Sequence, residues 1–227
     1  QRGIPYLRSR RPHREQARSH IGFVFTRITV GASLLAMAVC QSLARLVCPL
    51  HQKVPNMSLH LIIGDKLFSS WSLRGALALD LAGASYTEEL IKLNQPDTRE
   101  RLLKHSPTGK VPLLKTEHGT VADSLAIAEY LAEQFPDAGL WPKDTAARAQ
   151  ARSACAQMHA GFFAMRGNMP FDLSHDAPLS PVPADVQADI ERMSALWAEC
   201  RAVATEGGAY LCGGAAVGDA VFEVVAV

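Results

Sequence analysis

The chain has 227 residues, 48% of them hydrophobic and 20% charged, which is enough to bury two cores of modest size and excludes a disordered protein, a collagen or a small disulfide scaffold. Its 23 Lys and Arg nearly balance 22 Asp and Glu, but residues 1–56 hold nine of the basic residues and only Glu15 among the acids, so a +8 segment precedes a −7 body. An acidic body argues against nucleic-acid binding through phosphate contacts.

The basic segment contains an uncharged run, Ile28 to Ala44, interrupted by Thr29, Gly31, Ser33, Gln41 and Ser42. It is short for a membrane span and poorly formed for a secretory signal. Residues 1–56 therefore read as a disordered or foreign extension that packs against nothing, with Met57 as the natural start; a membrane anchor is the competing reading.

From Met57 the pattern becomes that of an α/β unit. Leu59 to Gly64 is a β-type run that opens into a loop, Asp65 to Ser69. From Ser70 the apolar residues Trp71, Leu73, Ala76, Leu77 and Leu81 recur at helical spacing, and Gly83 is placed to stop the helix. Tyr86 to Ile91 is a candidate strand and Asp97 to His105 a short helix. Val111 to Lys115 and Thr120 to Ala122 flank a His118-Gly119 turn and read as a hairpin. Ser124 to Phe135 is an apolar helix ending before Pro136, which completes the order β-α-β-α-β-β-α for residues 57–137.

After a linker, Pro136 to Lys143, strand signals give way to alanine-rich helical periodicity. Ala146 to Met169 and Ala184 to Thr205 are expected as long helices, joined by a proline-containing loop. Residues 141–227 thus read as an all-helical domain, left incomplete by a chain that stops inside the apolar run Ala220 to Val227.

Cys40, Cys48, Cys155, Cys200 and Cys212 are odd in number and lack CxxC spacing, and the histidines form no HExxH arrangement. Neither a disulfide framework nor a metal site is expected. Cys155 and Cys200, on predicted helices, read as small buried hydrophobes, and the whole pattern fits a reducing compartment such as the cytoplasm.

Three segments carry chemistry: Ser69-Ser70-Trp71-Ser72-Leu73-Arg74, Ser106-Pro107-Thr108-Gly109-Lys110-Val111-Pro112-Leu113, and Asp123-Ser124-Leu125-Ala126-Ile127. In this order, followed by helices, they resemble the cytosolic glutathione S-transferases. The resemblance covers Ser58 to Asp219 and implies a thioredoxin-like domain that binds glutathione as co-substrate, followed by an all-helical domain for an electrophile. It also implies a homodimer, and no membrane or nucleic-acid partner for the body.

Residue by residue, the resemblance implies that Ser69 donates its hydroxyl to the glutathione sulfur, with Ser70 as neighbour or substitute. A thiol is mostly protonated at neutral pH, and a hydroxyl donor at the positive end of a helix stabilises the thiolate. Both serines are also ordinary helix caps. Ser69 and Ser72 stand at the spacing of a redox CxxC pair, but neither is cysteine, so any sulfur must come from glutathione. Val111-Pro112 resembles the family's cis-proline step, which offers the Val111 backbone to the tripeptide, and Lys110 is placed for its glycine carboxylate. Asp123 and Ser124 open the next helix and are implied to hold the γ-glutamyl end.

Gln157 to Arg166 resembles the segment facing the cleft in a bacterial branch of the family. Helical spacing would put Met158, Phe162 and Arg166 on one face, an apolar wall with a cation at its edge, although such a stripe is also what a core requires. Ala216 to Asp219 replaces the family's capping box and lacks its hydroxyl, so that cap is expected to be lost. Two other readings stand beside the transferase. One is a maleylacetoacetate isomerase-type enzyme, suggested by Ser-Ser-x-x-x-Arg, though that class usually has Cys in place of Trp71. The other is a non-catalytic partner-binding protein on the same fold.

Overall fold

The computed structural model describes residues 58–174, 179–204 and 211–212. The basic extension, the Ala216 to Asp219 segment and the terminal apolar run lie outside the described residues.

Strand β1 (Leu59–Ile63) leads through a tight turn into helix α1 (Ser70–Ala82), which stops at Gly83 in the left-handed conformation, φ 66°. Glycine accepts that backbone without the steric cost of a Cβ. Strand β2 (Tyr86–Leu90), helix α2 (Thr98–Leu103), strands β3 (Leu113–Thr116) and β4 (Gly119–Ala122), and helix α3 (Ser124–Gln134) follow. The sheet order is β2-β1-β3-β4, with β1 parallel to β2 and antiparallel to β3. The expected β-α-β-α-β-β-α order is thus present, with each element ending within about two residues of its predicted bound.

Alternation along the strands assigns the two faces of the sheet. Leu59, Leu61, Ile63 and Leu114 pack with residues of α1 and α3, whereas Ile62 and Leu113 pack with Ile91 and Leu102 beneath α2. After a short 3-10 turn (Pro136–Ala138) the chain is helical: α4 (Thr145–Ala160), α5 (Phe163–Asn168) and α6 (Ala184–Val203). Asp144 caps α4 by accepting the Ala147 N–H at 2.8 Å.

Two expectations need correction. The helix expected from Ala146 to Met169 is broken: Gly161 is extended and Phe162 is left-handed at φ 61°, ψ 40°. The break puts the Phe162 ring in the core, at 7% exposure, and a Cβ at position 161 would come within 2.9 Å of the Gln157 carbonyl. Two separate cores are not formed either, because one buried cluster runs from Leu61 and Leu79 through Leu131 to Cys155, Met158, Leu196 and Cys200. Glu129 of α3 reinforces this junction by accepting from Arg152 Nε and Nη2 at 2.9 Å each and from Trp141 Nε1 at 3.1 Å. Among the described residues no helix is long and apolar enough to cross a membrane.

Candidate active site

Ser69 is the N-cap of α1 and is buried, at 7% exposure. Its N–H donates to Asp65 O at 2.8 Å, which fixes the turn after β1. Its Oγ accepts from Ser72 N at 3.3 Å and from Ser72 Oγ at 2.9 Å, while Ser72 Oγ in turn accepts from Gly64 N at 2.9 Å. A hydroxyl has two acceptor sites and one donor. Both acceptor sites of Ser69 are therefore occupied from beneath, and no described residue takes its proton. Ser70, half-buried, opens the first turn beside it.

The Val111-Pro112 peptide is cis, as expected. Pro112 is buried and packs against α1 at Gly75, while the backbone of Val111 makes no hydrogen bond to another described residue. An extended peptide could pair with those groups as an added strand. Lys110 is exposed, and its N–H donates to Thr108 Oγ1 at 3.3 Å.

Asp123 adopts φ 69°, ψ 160°, a conformation nearly restricted to glycine, and surroundings that over-determine it are what such strain requires. Its Oδ1 accepts from Leu125 N at 3.0 Å and Ala126 N at 3.1 Å, and its Oδ2 lies 3.6 Å from His159 Nε2 on α4. Ser124 is buried at the first position of α3.

Across from α1, the break after α4 changes how Met158, Phe162 and Arg166 meet. They do not share one continuous helix. Met158 and Phe162 are core residues at 0% and 7% exposure, and Arg166 folds back to donate Nη2 to the Met158 carbonyl, with Met158 Sδ 3.1 Å away. That contact satisfies a carbonyl that the end of α4 leaves without a helical partner.

Trp71 is the residue around which the two sides meet. Its ring contacts His159 edge-on at 5.1 Å and carries the guanidinium of Arg74 at 4.4 Å and that of Arg166 at 4.8 Å from its centroid. Arg74 is 2% exposed, and its Nε and Nη1 have no hydrogen-bond partner among the described residues. Burial, and next the nearby Arg166, pull its pKa down from the usual value to about 9; burial also lowers that of Arg166, against the pull of Asp189. Sequence reasoning quoted Trp71, Ser72 and Arg74 inside a motif without giving them these contacts, and gave His159 no role. The only sequence signal was that Trp71 and Arg74 fall on one flank of α1 at i, i+3.

Among the described residues no group of His, Cys, Asp and Glu is arranged to hold a metal. Ser69 caps α1, Pro112 beside Val111 packs on α1 at Gly75, and Asp123 faces His159, which touches Trp71 of α1, so the three segments connect through α1 at the seam between a thioredoxin-like α/β unit and a helical unit.

Comparison with known proteins agrees with this class. Residues 68–134 match the family model described as glutathione S-transferase, N-terminal domain. A probable maleylacetoacetate isomerase of Caenorhabditis elegans is 36% identical over 93 residues, which cover 41% of this chain and 44% of that protein. A probable glutathione transferase of Aplysia californica is 32% identical over 74 residues, covering 33% of this chain and 80% of the relative. Among solved structures, a glutathione transferase homologue from Sulfitobacter with bound glutathione superposes with a TM-score of 0.51 at 26% identity, over 74% of this chain and 80% of that one. A homologue from Burkholderia, also with bound glutathione, gives 0.56 at 21% identity over 73% and 78%. The matched stretch spans 44% and 37% of the first two curated relatives. This chain belongs to the glutathione S-transferase family.

Proposed function

We propose that the protein is a glutathione-dependent transferase that adds the glutathione thiol to a small electrophile. The observation that carries this reading is the Ser69 hydroxyl, buried at the start of α1 with both acceptor sites filled and its proton uncommitted. In this reading the Val111 backbone beside Pro112 pairs with the cysteinyl part of glutathione. Ser124 and Asp123 take the γ-glutamyl end, and Lys110 takes the glycine carboxylate. The sulfur then lies at the N-terminus of α1, where the Ser69 O–H and the helix dipole favour the thiolate over a thiol of pKa ~8.5. Attack forms the sulfur–carbon bond as the leaving group departs with its electron pair, and the protein contributes positioning and charge stabilisation. The electrophile lies toward Arg166, with Met158 and Phe162 forming the packed floor beneath it. A homodimer in the cytoplasm completes the reading.

Retention on immobilised glutathione, together with thiol addition to a panel of electrophiles, tests it. Retention without addition to any of them favours a partner-binding protein. An isomerase reading is favoured by one observation, the likeness to two proteins named as probable maleylacetoacetate isomerases. Cis–trans conversion of a maleyl substrate without net consumption of glutathione would select it.

A further inference from the structure

Arg74 is hard to explain as a structural residue. A buried guanidinium is normally paired, because withdrawing its N–H groups from water without a partner leaves their lost hydration uncompensated. Stacking on Trp71 uses the face of the guanidinium, and the buried Nε and Nη1 find no hydrogen-bond partner among the described residues. The second cation on the same indole, Arg166, adds repulsion instead of relieving it. Asp189, whose charge acts on Arg166, accepts the Met165 N–H at Oδ2 across 2.9 Å, and Asp123 caps α3 and faces His159. Two guanidiniums thus lie against one ring, and among the described residues no carboxylate is hydrogen-bonded to either. The ring belongs to Trp71, two residues beyond Ser69 on the same helix.

We propose that Arg74 and Arg166, gathered around Trp71, receive a carboxylate carried by the second substrate. This rests on the transferase reading and names the substrate class for it. Arginine N–H groups recognise a carboxylate through short charge-assisted bonds. Trp71 and Arg166 are only partly buried and form the accessible side, with Arg74 behind them. One turn of α1 separates this position from the Ser69 end, so an anion held here keeps the rest of a small electrophile near the sulfur.

The test compares two glutathione thioethers, one bearing a nitrobenzoate and the other its methyl ester, by calorimetry on the full chain. Glutathione's own charges are common to both. The acid should bind roughly tenfold more tightly than the ester, as charge-assisted bonds to a buried cation require. That preference should vanish in Arg74→Met and Arg166→Met and persist in Arg74→Lys, with thermal unfolding checking that each variant is folded. Equal affinity of the wild type for acid and ester overturns the proposal without recourse to any variant, as does an unchanged preference in folded Arg74→Met. If the preference is present but neither free chloronitrobenzoate nor its ester is conjugated, the transferase reading fails and the anion site stands. Failure of both thioethers to bind removes both.

Discussion

Ser72 donates its hydroxyl to Ser69 Oγ across 2.9 Å while holding the Gly64 N–H at the same distance, so a buried line of three donors points from β1 toward the start of α1. Each bond in such a line polarises the next, which makes the terminal Ser69 O–H a better donor. Ser69→Ala should therefore lower the conjugation rate by roughly 10²–10³ and leave glutathione affinity nearly unchanged. Its pH–rate profile should move to higher pH as the bound thiol loses a donor. Wild-type rate in Ser69→Ala, with loss only in Ser70→Ala, would reverse the two serines.

Ser72→Ala tests the line itself. It leaves the buried Gly64 N–H without an acceptor, at a cost of about 1–3 kcal/mol, and frees Ser69 Oγ to rotate. Conjugation should fall less than in Ser69→Ala, by about tenfold, with the same upward shift of the pH profile; this corresponds to roughly 1.4 kcal/mol of transition-state stabilisation. Ser72→Thr, which keeps the hydroxyl, should recover most of the rate. A loss of stability with an unmoved pH profile would reduce Ser72 to a structural role.

Local sequence carried the α/β half of the fold well, because strand alternation at Leu59, Leu61 and Ile63 and the stop at Gly83 are determined by neighbours in sequence. The break at Gly161 and Phe162 was hidden for a physical reason: Met158, Phe162 and Arg166 fit a helical period, and only the extended Gly161 and left-handed Phe162 backbone shows that the chain leaves it. The Ser69, Val111-Pro112 and Asp123-Ser124 segments were visible as motifs. The gathering of Arg74, Arg166 and His159 on Trp71 was not, since it joins residues of α1 to others almost ninety positions away, and neither local propensity nor spacing encodes that meeting.

On the α2 side of the sheet, Glu89 Oε2 lies 3.2 Å from His60 Nε2 and Oε1 lies 3.4 Å from His105 Nε2. The His60 hydrogen bond holds the Glu89 pKa below the usual carboxylate value, with His105 assisting. A depressed carboxylate contributes stability that is complete above its unfolded pKa, ~4.3, and is lost as the pH falls through the folded value. His60→Ala should therefore be less stable than wild type near neutrality, by under about 1 kcal/mol because Glu89 is more than a third exposed. The gap should close as the pH falls below 4. Urea unfolding at several pH values measures it, and a gap that does not change with pH would remove Glu89 as its source.

Gly75 gives the last prediction, because helix propensity and packing oppose each other there. In an open helix interior, Gly→Ala stabilises by about 0.5–1 kcal/mol. At position 75 the new Cβ would lie 2.9 Å from Pro112 Cβ, 3.0 Å from its Cγ and 3.6 Å from Leu61 Cδ1. The proline ring cannot rotate away, so α1 or the Val111-Pro112 segment must shift, and overpacking of this kind costs about 1–3 kcal/mol. Packing wins, and Gly75→Ala should be net destabilising. Because Pro112 is joined directly to Val111, the same shift should weaken glutathione binding several-fold, more than it slows the conjugation step at saturating glutathione. Gly167→Ala in α5 is the control: nothing lies within 4 Å of its added Cβ, so propensity acts alone and the variant should gain stability. Thermal unfolding of the two variants should give shifts of opposite sign, and a stabilised Gly75→Ala with unaltered glutathione affinity would show that the α1–Pro112 contact can relax without cost.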